Sequence, residues 1–180
     1  DSVNDNLKYA RTVLGSWTIQ PVDSTGDVGQ YSSITVNTTG FARISYYDAT
    51  NGNLRYASYN GANWVLQTVD DTGVTGQYTS IALGTSERPA ISYYDATNGH
   101  LRYANFDGST WQKRTVDNTD NLTGQGTSLV MTADNRPRIS YYDAEDGNLK
   151  YAAYVASTDN WTLTNVATNG VLGFYNSIDL

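Results

Sequence analysis

The sequence predicts an all-β protein, a β-propeller made of four-stranded antiparallel blades with a repeat of about 47 residues. Two observations carry this prediction. The segment Ile-Ser-Tyr-Tyr-Asp occurs three times, and its aspartate falls at Asp48, Asp95 and Asp143. The 180 residues also include 16 Gly and 15 Tyr but only one Met, a composition typical of many short strands and tight turns.

Each repeat divides into four short runs of β character, rich in Tyr, Trp, Ile, Val and Thr. The first run alternates small and apolar residues, the second is Ile-Ser-Tyr-Tyr-Asp, the third begins at a leucine and the fourth at a tryptophan. Asn51-Gly52 and its counterparts join the second run to the third as hairpin turns, because Asn and Gly tolerate positive φ. Pro21 lies in a fourth run and lacks an N–H, which predicts that the fourth strand is outermost and the first innermost.

The repeat also predicts how the chain is divided. We expect a single propeller segment over 1–180, with complete blades at 29–75, 76–123 and 124–172. The remaining copy is split between the two ends of the sequence. Its third and fourth strands fall in 1–28, its first strand falls in 173–180, and its second strand is missing. We therefore expect the rest of a longer propeller, or further copies of this chain, to complete the ring; a four-bladed ring with an incomplete seam is the alternative.

Charge and composition exclude several classes of partner. Eleven basic residues against 18 acidic ones give a net charge of −7, which argues against nucleic acid and against an anionic membrane surface. No apolar run approaches the ~18 residues of a membrane span, so no membrane insertion is expected. The absence of cysteine excludes disulfides and thiolate metal sites.

The loop after each Ile-Ser-Tyr-Tyr-Asp run is the first candidate site. It has the pattern Asp-x-x-Asn/Asp-Gly-Asn/His, with its leading carboxylate at Asp48, Asp95, Asp143 and, in the split copy, Asp1, which is followed there by Asn4. Oxygen ligands on a tight turn suit calcium. The favoured interpretation is that each aspartate accepts hydrogen bonds from its own turn, so no cofactor is predicted and calcium is the alternative.

A basic residue recurs in the third run of every repeat, at Lys8, Arg55, Arg102 and Lys150. The favoured interpretation is an ion pair with the aspartate before the hairpin, inside one blade or between neighbours. The functional alternative is that Arg55 and Arg102 hold a sugar hydroxyl or a carboxylate.

Aromatic residues recur in register at the start of the fourth run, at Trp17, Trp64, Trp111 and Trp161. An aromatic ring at the same place in every blade is expected to pack between blades. The alternative is a platform on which the C–H face of a sugar stacks, for which Trp64 and Trp111 are the candidates.

No arrangement of residues predicts catalysis. His100 is the only histidine, and it occupies a turn position that holds asparagine in the other repeats. The two glutamates, Glu87 and Glu145, both fall in predicted loops, so nothing positions a carboxylate pair for glycoside hydrolysis. We therefore expect a protein that is not an enzyme.

The run Ile-Ser-Tyr-Tyr-Asp-Ala-Thr-Asn-Gly-Asn-Leu-Arg-Tyr-Ala, followed by Asn-Gly-x-x-Trp, resembles the tandem propeller repeats of large bacterial extracellular proteins. This resemblance implies a secreted or cell-surface location and a non-catalytic module that serves as a binding or structural platform for protein interaction.

A second resemblance is to propeller lectins of the fucose-binding type, whose blades also carry Tyr-Tyr, a hairpin, a basic residue and a later Gly-x-Trp. It implies a carbohydrate site between blades at Arg55, Trp64, Arg102 and Trp111, although the third strand here lacks the glutamate of those lectins. Residues 105–111 also resemble the end of a sialidase Asp box with altered spacing. A glycoside hydrolase is the third alternative.

Overall fold

The computed structural model describes residues 5–180, whose regular structure consists of fourteen strands. Asp1 and Asn4 of the predicted split-copy loop lie outside the described residues. An N-terminal hairpin contains β1 (Leu7–Val13) and β2 (Ser16–Asp23). Blade 1 contains β3 (Val28–Val36), β4 (Ala42–Asp48), β5 (Asn53–Tyr59) and β6 (Trp64–Asp70). Blade 2 contains β7 (Thr75–Leu83), β8 (Pro89–Asp95), β9 (His100–Phe106) and β10 (Trp111–Asp117). Blade 3 contains β11 (Thr123–Met131), β12 (Pro137–Asp143), β13 (Asn148–Val155) and β14 (Asn160–Ala167).

The strands of each blade are hydrogen-bonded in chain order and are all antiparallel. The predicted fold class is therefore confirmed, and so is the placement of the fourth strand at one edge of the sheet. Four-residue turns join the second and third strands; in the turn between Asp48 and Asn53, Gly52 has a φ of 74° whereas Asn51 does not have a positive φ. Among residues 5–180 no helix is long and apolar enough to span a membrane.

The register of each blade sends alternate side chains to opposite faces. In blade 1, Tyr46 lies opposite Arg55, and the neighbouring Ser45 lies opposite Tyr56. Tyr46 contacts the N-terminal hairpin through Asp23, whereas Ser45 contacts blade 2 through the Thr79 hydroxyl. Each blade therefore has one face toward the preceding unit and one toward the following unit.

Neighbouring units approach closely where a glycine at the start of a first strand lies against a leucine of the preceding unit. Gly76 has a φ of +103°, and a Cβ added there would lie 2.6 Å from the Leu54 Cα. Only glycine fits this contact, since a side chain would meet backbone atoms. The same contact recurs between Gly29 and Leu7, Gly124 and Leu101, and Gly173 and Leu149.

A serine in each first strand links it to the next unit. The N–H of Ile81 donates to Ser33 Oγ at 3.2 Å, and the N–H of Leu129 donates to Ser80 Oγ at 3.0 Å. These bonds join the first strands of neighbouring blades, so the first strands lie side by side.

The segment 173–180, for which the repeat predicts a first strand, is not a strand in the structure. The segment nevertheless lies beside β11, where the Ile178 N–H donates to Ser128 Oγ at 3.2 Å. This is the same contact that β7 makes with β3. A strand needs a hydrogen-bonded partner, and the second strand that would pair with this segment is missing from the split copy.

Candidate functional site

Arg55 and Arg102 each lie between two buried aspartates. The Nη1 atom of Arg102 is 3.3 Å from Asp70 of the preceding blade and 3.5 Å from Asp95 of its own blade. Arg55 has the same arrangement with Asp23 at 3.4 Å and Asp48 at 3.5 Å. Both ion pairs considered from the sequence, within a blade and between neighbours, are therefore formed.

A tyrosine and a lysine of blade 2 complete the surroundings of Asp70. The Tyr93 hydroxyl donates a hydrogen bond to Asp70 Oδ2 at 2.7 Å, and the Lys113 ammonium lies 3.0 Å from Oδ1. Burial by itself raises the pKa of Asp70, but hydrogen bonds from Thr72, Tyr93 and Lys113 and the charge of Arg102 outweigh it and lower the pKa below its ordinary value. Asp70 is thus a carboxylate of one blade that groups from the next blade hold in its ionised form.

The carboxylates considered for calcium, Asp48, Asp95 and Asp143, accept hydrogen bonds from their own turns and face a basic side chain. The N–H and the Nδ2 of Asn51 donate to the two oxygens of Asp48 at 3.0 and 2.9 Å. Asn98 donates to Asp95 in the same way. This is the turn chemistry that the sequence favours.

Asp143 also lies in the only group of three clustered acids found within residues 5–180, together with Asp120 and Asp146. The Lys150 ammonium lies 3.3 Å from Asp143 and 3.6 Å from Asp120, and 2.8 Å from Asp117 of blade 2. Burial lowers the pKa of Lys150, but the carboxylates around it outweigh burial and raise the pKa. A protonated side chain is therefore the cation that faces this cluster.

The repeated tryptophans pack against a tyrosine of the preceding unit. The ring centroid of Trp64 lies 5.3 Å from that of Tyr9, and Trp111 lies 5.2 Å from Tyr56. Trp111 also donates from Nε1 to Gln67 at 3.0 Å, which ties blade 2 to blade 1. These contacts are the inter-blade packing that the sequence favours.

The predicted arginine and tryptophan candidates lie far apart within a blade. Arg55 is opposite Thr68 whereas Trp64 is opposite Tyr59, so the two side chains are four positions apart along the sheet, roughly 13 Å. Arg102 and Trp111 have the same separation in blade 2. The structure does not bring Arg and Trp of one blade into one site, and their role toward a sugar stays a prediction.

A cleft of about 290 Å³ opens elsewhere, between blades 2 and 3. Tyr103 and Asn105 of β9 and Phe106 at its end form one wall, and Tyr154 and Trp161 of blade 3 form the other. The Nε1 of Trp161 is buried and has no hydrogen-bond partner within the described chain. The cleft thus combines flat aromatic surfaces with polar groups, as ligand sites commonly do.

The cleft is open because Ala90 replaces an arginine. In blade 1, Arg43 occupies the same position, faces blade 2, and donates from Nη1 to the carbonyl of Tyr59 at 2.9 Å. In blade 3, Arg138 makes the same bond to the carbonyl of Tyr154 at 3.1 Å. The methyl group of Ala90 leaves that volume empty. No pattern shared by the repeats predicts this site; its signal in the sequence is one small residue, Ala90, where two other repeats have arginine.

Two arginines border the cleft. Arg114 of β10 forms an ion pair with Asp159 of blade 3, and its Cζ lies 5.9 Å from the centre of the Tyr154 ring. It stands where blade 1 has Gln67, the hydrogen-bond partner of Trp111; the Nε1 of Trp161, like that of Trp64, has no partner within the described chain. Arg88, at the start of β8, lines the cleft with its guanidinium over Gly108.

The fold and these inter-blade contacts define a β-propeller segment. No protein-family model and no curated protein sequence matches the chain. Among solved structures, the chain is similar to the lectin of Aleuria aurantia, an N224Q mutant in complex with Fucα1-6GlcNAc, with a TM-score of 0.61 at 14% identity over 87% of this chain and 51% of that one.

Two further solved structures are similar in fold. A protein of unknown function from Dyadobacter fermentans matches with a TM-score of 0.59 at 11% identity, over 83% of this chain and 55% of that one. The intramolecular trans-sialidase of Ruminococcus gnavus, in complex with oseltamivir carboxylate, matches with a TM-score of 0.55 at 15% identity, over 86% and 39%. The chain thus spans about half of the first two proteins, and the likeness at these identities shows the fold alone.

Proposed function

We propose that this chain is a non-catalytic β-propeller binding module, and that the cleft between blades 2 and 3 binds a carbohydrate. The observation that carries the proposal is the cleft itself, which Ala90 opens at one inter-blade interface while Arg43 fills the equivalent volume at the interface before it. Its volume of about 290 Å³ suits one or two sugar rings.

The lining matches what a sugar needs. Phe106, Tyr154 and Trp161 are half-buried and present aromatic surfaces on which the C–H face of a sugar ring can stack, whereas Tyr103 is buried against Trp161 with ring centroids 5.5 Å apart. The Asn105 amide, which is half-buried in the lining, is available to a hydroxyl group. The likeness in fold to a lectin that was solved with a fucosylated disaccharide supports carbohydrate as the ligand class.

The carboxylates of the cleft support a binding rather than a catalytic role. Asp107 is the one acidic residue in the lining formed by the described residues. Backbone hydrogen bonds from Thr110 and Ser109 lower its pKa to about 2, so it is not a proton donor at neutral pH. Glycoside hydrolysis generally uses two carboxyl groups, one of them with a raised pKa. We expect no release of nitrophenol from a panel of nitrophenyl glycosides; sustained turnover by the purified chain would instead support the hydrolase alternative.

A location in a secreted or cell-surface protein, and completion of the ring by further propeller blades, are part of the same proposal. The location is expected from the resemblance to bacterial extracellular repeats, and completion of the ring is expected from the split copy of the repeat. The protein-interaction platform is the alternative if no sugar binds.

The decisive variant is Ala90→Arg, which places in blade 2 the arginine that blades 1 and 3 already carry. We expect it to fold like the parent chain and to lose saccharide binding, measured by titration calorimetry and by tryptophan fluorescence against a glycan array's best ligand. Ala62→Arg is the matched control, because it adds the same charge to an exposed turn of blade 1. Unchanged binding by a folded Ala90→Arg variant, or no binding of any sugar at millimolar concentration by the parent chain, would contradict the proposal.

A further inference from the structure

Arg88 is a cation of the cleft whose side chain makes no hydrogen bond or ion pair with any residue of the described chain. Its side chain is exposed at the cleft mouth, and one terminal nitrogen lies 3.1 Å from the position that a Cβ of Gly108 would occupy. A guanidinium has five N–H donors in a planar arrangement, and the donors of Arg88 face water.

The equivalent position at the preceding interface is apolar. Phe41 takes the place of Arg88 in blade 1 and packs edge-on against Tyr59, with ring centroids 5.8 Å apart. Arg88 covers Gly108 as Phe41 covers Gly61, so the two side chains fill the same place, but this packing does not need the positive charge that Arg88 adds.

A second replacement removes a negative charge from the same cleft. Between blades 1 and 2, Glu87 reaches across and accepts the N–H of Thr38 at 2.7 Å. Between blades 2 and 3, Asn135 stands in the equivalent loop position and accepts the N–H of Thr85 at 3.1 Å. The bridging hydrogen bond is kept, but a neutral amide now makes it.

The other cation of the cleft is already paired with a carboxylate, and the one carboxylate of the lining, Asp107, is ionised and bound to its own loop. Arg114 is neutralised by Asp159. Asp107 accepts hydrogen bonds from Ser109, Thr110 and Gln112, which turn its carboxylate toward its own loop. The net charge of −7 is spread over the whole surface, and dissolved ions screen charges that are more than ~10 Å away. The charges nearest to a bound ligand, including that of Arg88, therefore affect its binding most.

We infer that the cleft selects a saccharide that carries an anionic group, a carboxylate or a sulfate ester, and that Arg88 holds this group. The inference rests on the proposed carbohydrate site and names its ligand class. Arg88 would make charge-assisted hydrogen bonds to the anion at the mouth while the sugar ring stacks deeper in the cleft, on the aromatic walls.

The test compares three probes with the same ring: methyl glucoside, methyl glucuronide and glucose 6-sulfate, each titrated in 0.15 M salt by calorimetry. We expect one or both anionic sugars to bind about tenfold more tightly than the glucoside, as one charge-assisted interaction permits. Preference for the glucuronide identifies a carboxylate ligand, and preference for the sulfate identifies a sulfate ester.

The variant Arg88→Gln should abolish this preference while it leaves binding of the neutral glucoside within about twofold, and Arg88→Lys should retain part of it. Arg136→Gln is the matched control, since Arg136 is the equivalent residue of blade 3 and pairs with Asp134 outside the cleft. Thermal melts of all three variants establish that they are folded.

The two proposals fail in different ways. Equal binding of neutral and anionic sugars, or an anion preference that survives Arg88→Gln, overturns this inference and leaves the carbohydrate site standing. Absence of binding for all three probes and for a wider sugar panel overturns both.

Discussion

The Tyr93 hydroxyl donates a 2.7 Å hydrogen bond to Asp70 of the preceding blade, and the same bond joins Tyr46 to Asp23 at 2.7 Å and Tyr141 to Asp117 at 2.6 Å. Tyr93 and Asp70 are both buried, with 0% of their surface exposed. The first tyrosine of each Ile-Ser-Tyr-Tyr-Asp run therefore donates a hydrogen bond to the preceding unit, and the second tyrosine lies on the opposite face of the sheet.

Removing this hydroxyl should destabilise the interface. Tyr46→Phe deletes the donor to Asp23 and leaves a buried carboxylate with one partner fewer, so the free energy of unfolding should fall by about 2 kcal/mol. Tyr47→Phe is the control, because the adjacent Tyr47 faces the other side of the sheet and its hydroxyl makes no hydrogen bond within the described chain. Urea denaturation followed by tryptophan fluorescence measures both, and equal losses would refute the assigned role of Tyr46.

Acid should weaken the contacts between blades. The pKa of Asp70 lies below 3.8 in the folded protein, so the unfolded chain binds its proton at a higher pH than the folded chain does. The stability that ionised Asp70 contributes is therefore complete at neutral pH and is lost as the pH falls below about 4 through the folded pKa. Asp117 has the same direction of shift and adds to the effect.

The variant Asp70→Asn tests this dependence. We expect it to be less stable than the parent at pH 7, because Arg102 and Lys113 lose their shared carboxylate, and to show a shallower loss of stability between pH 5 and pH 3. Asp71→Asn removes a neighbouring exposed carboxylate and should leave the pH profile unchanged. A parent profile that is flat over this range would argue against the shift.

The glycine contacts between blades should tolerate no side chain. Gly76→Ala combines a φ of +103° with a Cβ only 2.6 Å from the Leu54 Cα, and should cost about 3 kcal/mol of stability. Gly40 also has a positive φ, of +78°, but nothing lies within 4 Å of an added Cβ, so Gly40→Ala should cost only about 1 kcal/mol. Thermal unfolding of the two variants separates the steric cost from the conformational one, and similar losses would show that the close approach has no energetic role.

The repeated tryptophans should respond differently to substitution. Trp111→Phe loses the hydrogen bond to Gln67, whereas Trp161→Phe loses none because its Nε1 has no partner within the described chain. We expect Trp111→Phe to be the more destabilising by about 1 kcal/mol. Saccharide binding should show the opposite order, with Trp161→Phe the weaker binder. The same order in both measurements would mean that Trp161 does not contact the ligand.

The sequence alone determined the blades of this protein. Alternation of side chains with a period of two, Asn-Gly and Asp-Gly turns, and Pro21 together fix strand order within a blade, because those contacts are local and recur in every repeat. The same regularity indicated an ion pair for Arg55 and Arg102, and the structure contains it.

Only the tertiary structure decided what happens between the blades. The placement of Arg55 between Asp23 and Asp48, and the presence of a cavity at one interface, depend on the angle and separation of two sheets, which no pattern within one repeat encodes. The cleft follows from a difference between repeats, Ala90 against Arg43, and such a difference has meaning only once both side chains are placed at equivalent interfaces. The repeat determines the packing that every blade shares, and the departure from the repeat determines where a ligand can enter, because volume that one side chain leaves empty at a rigid interface is not recovered by its neighbours.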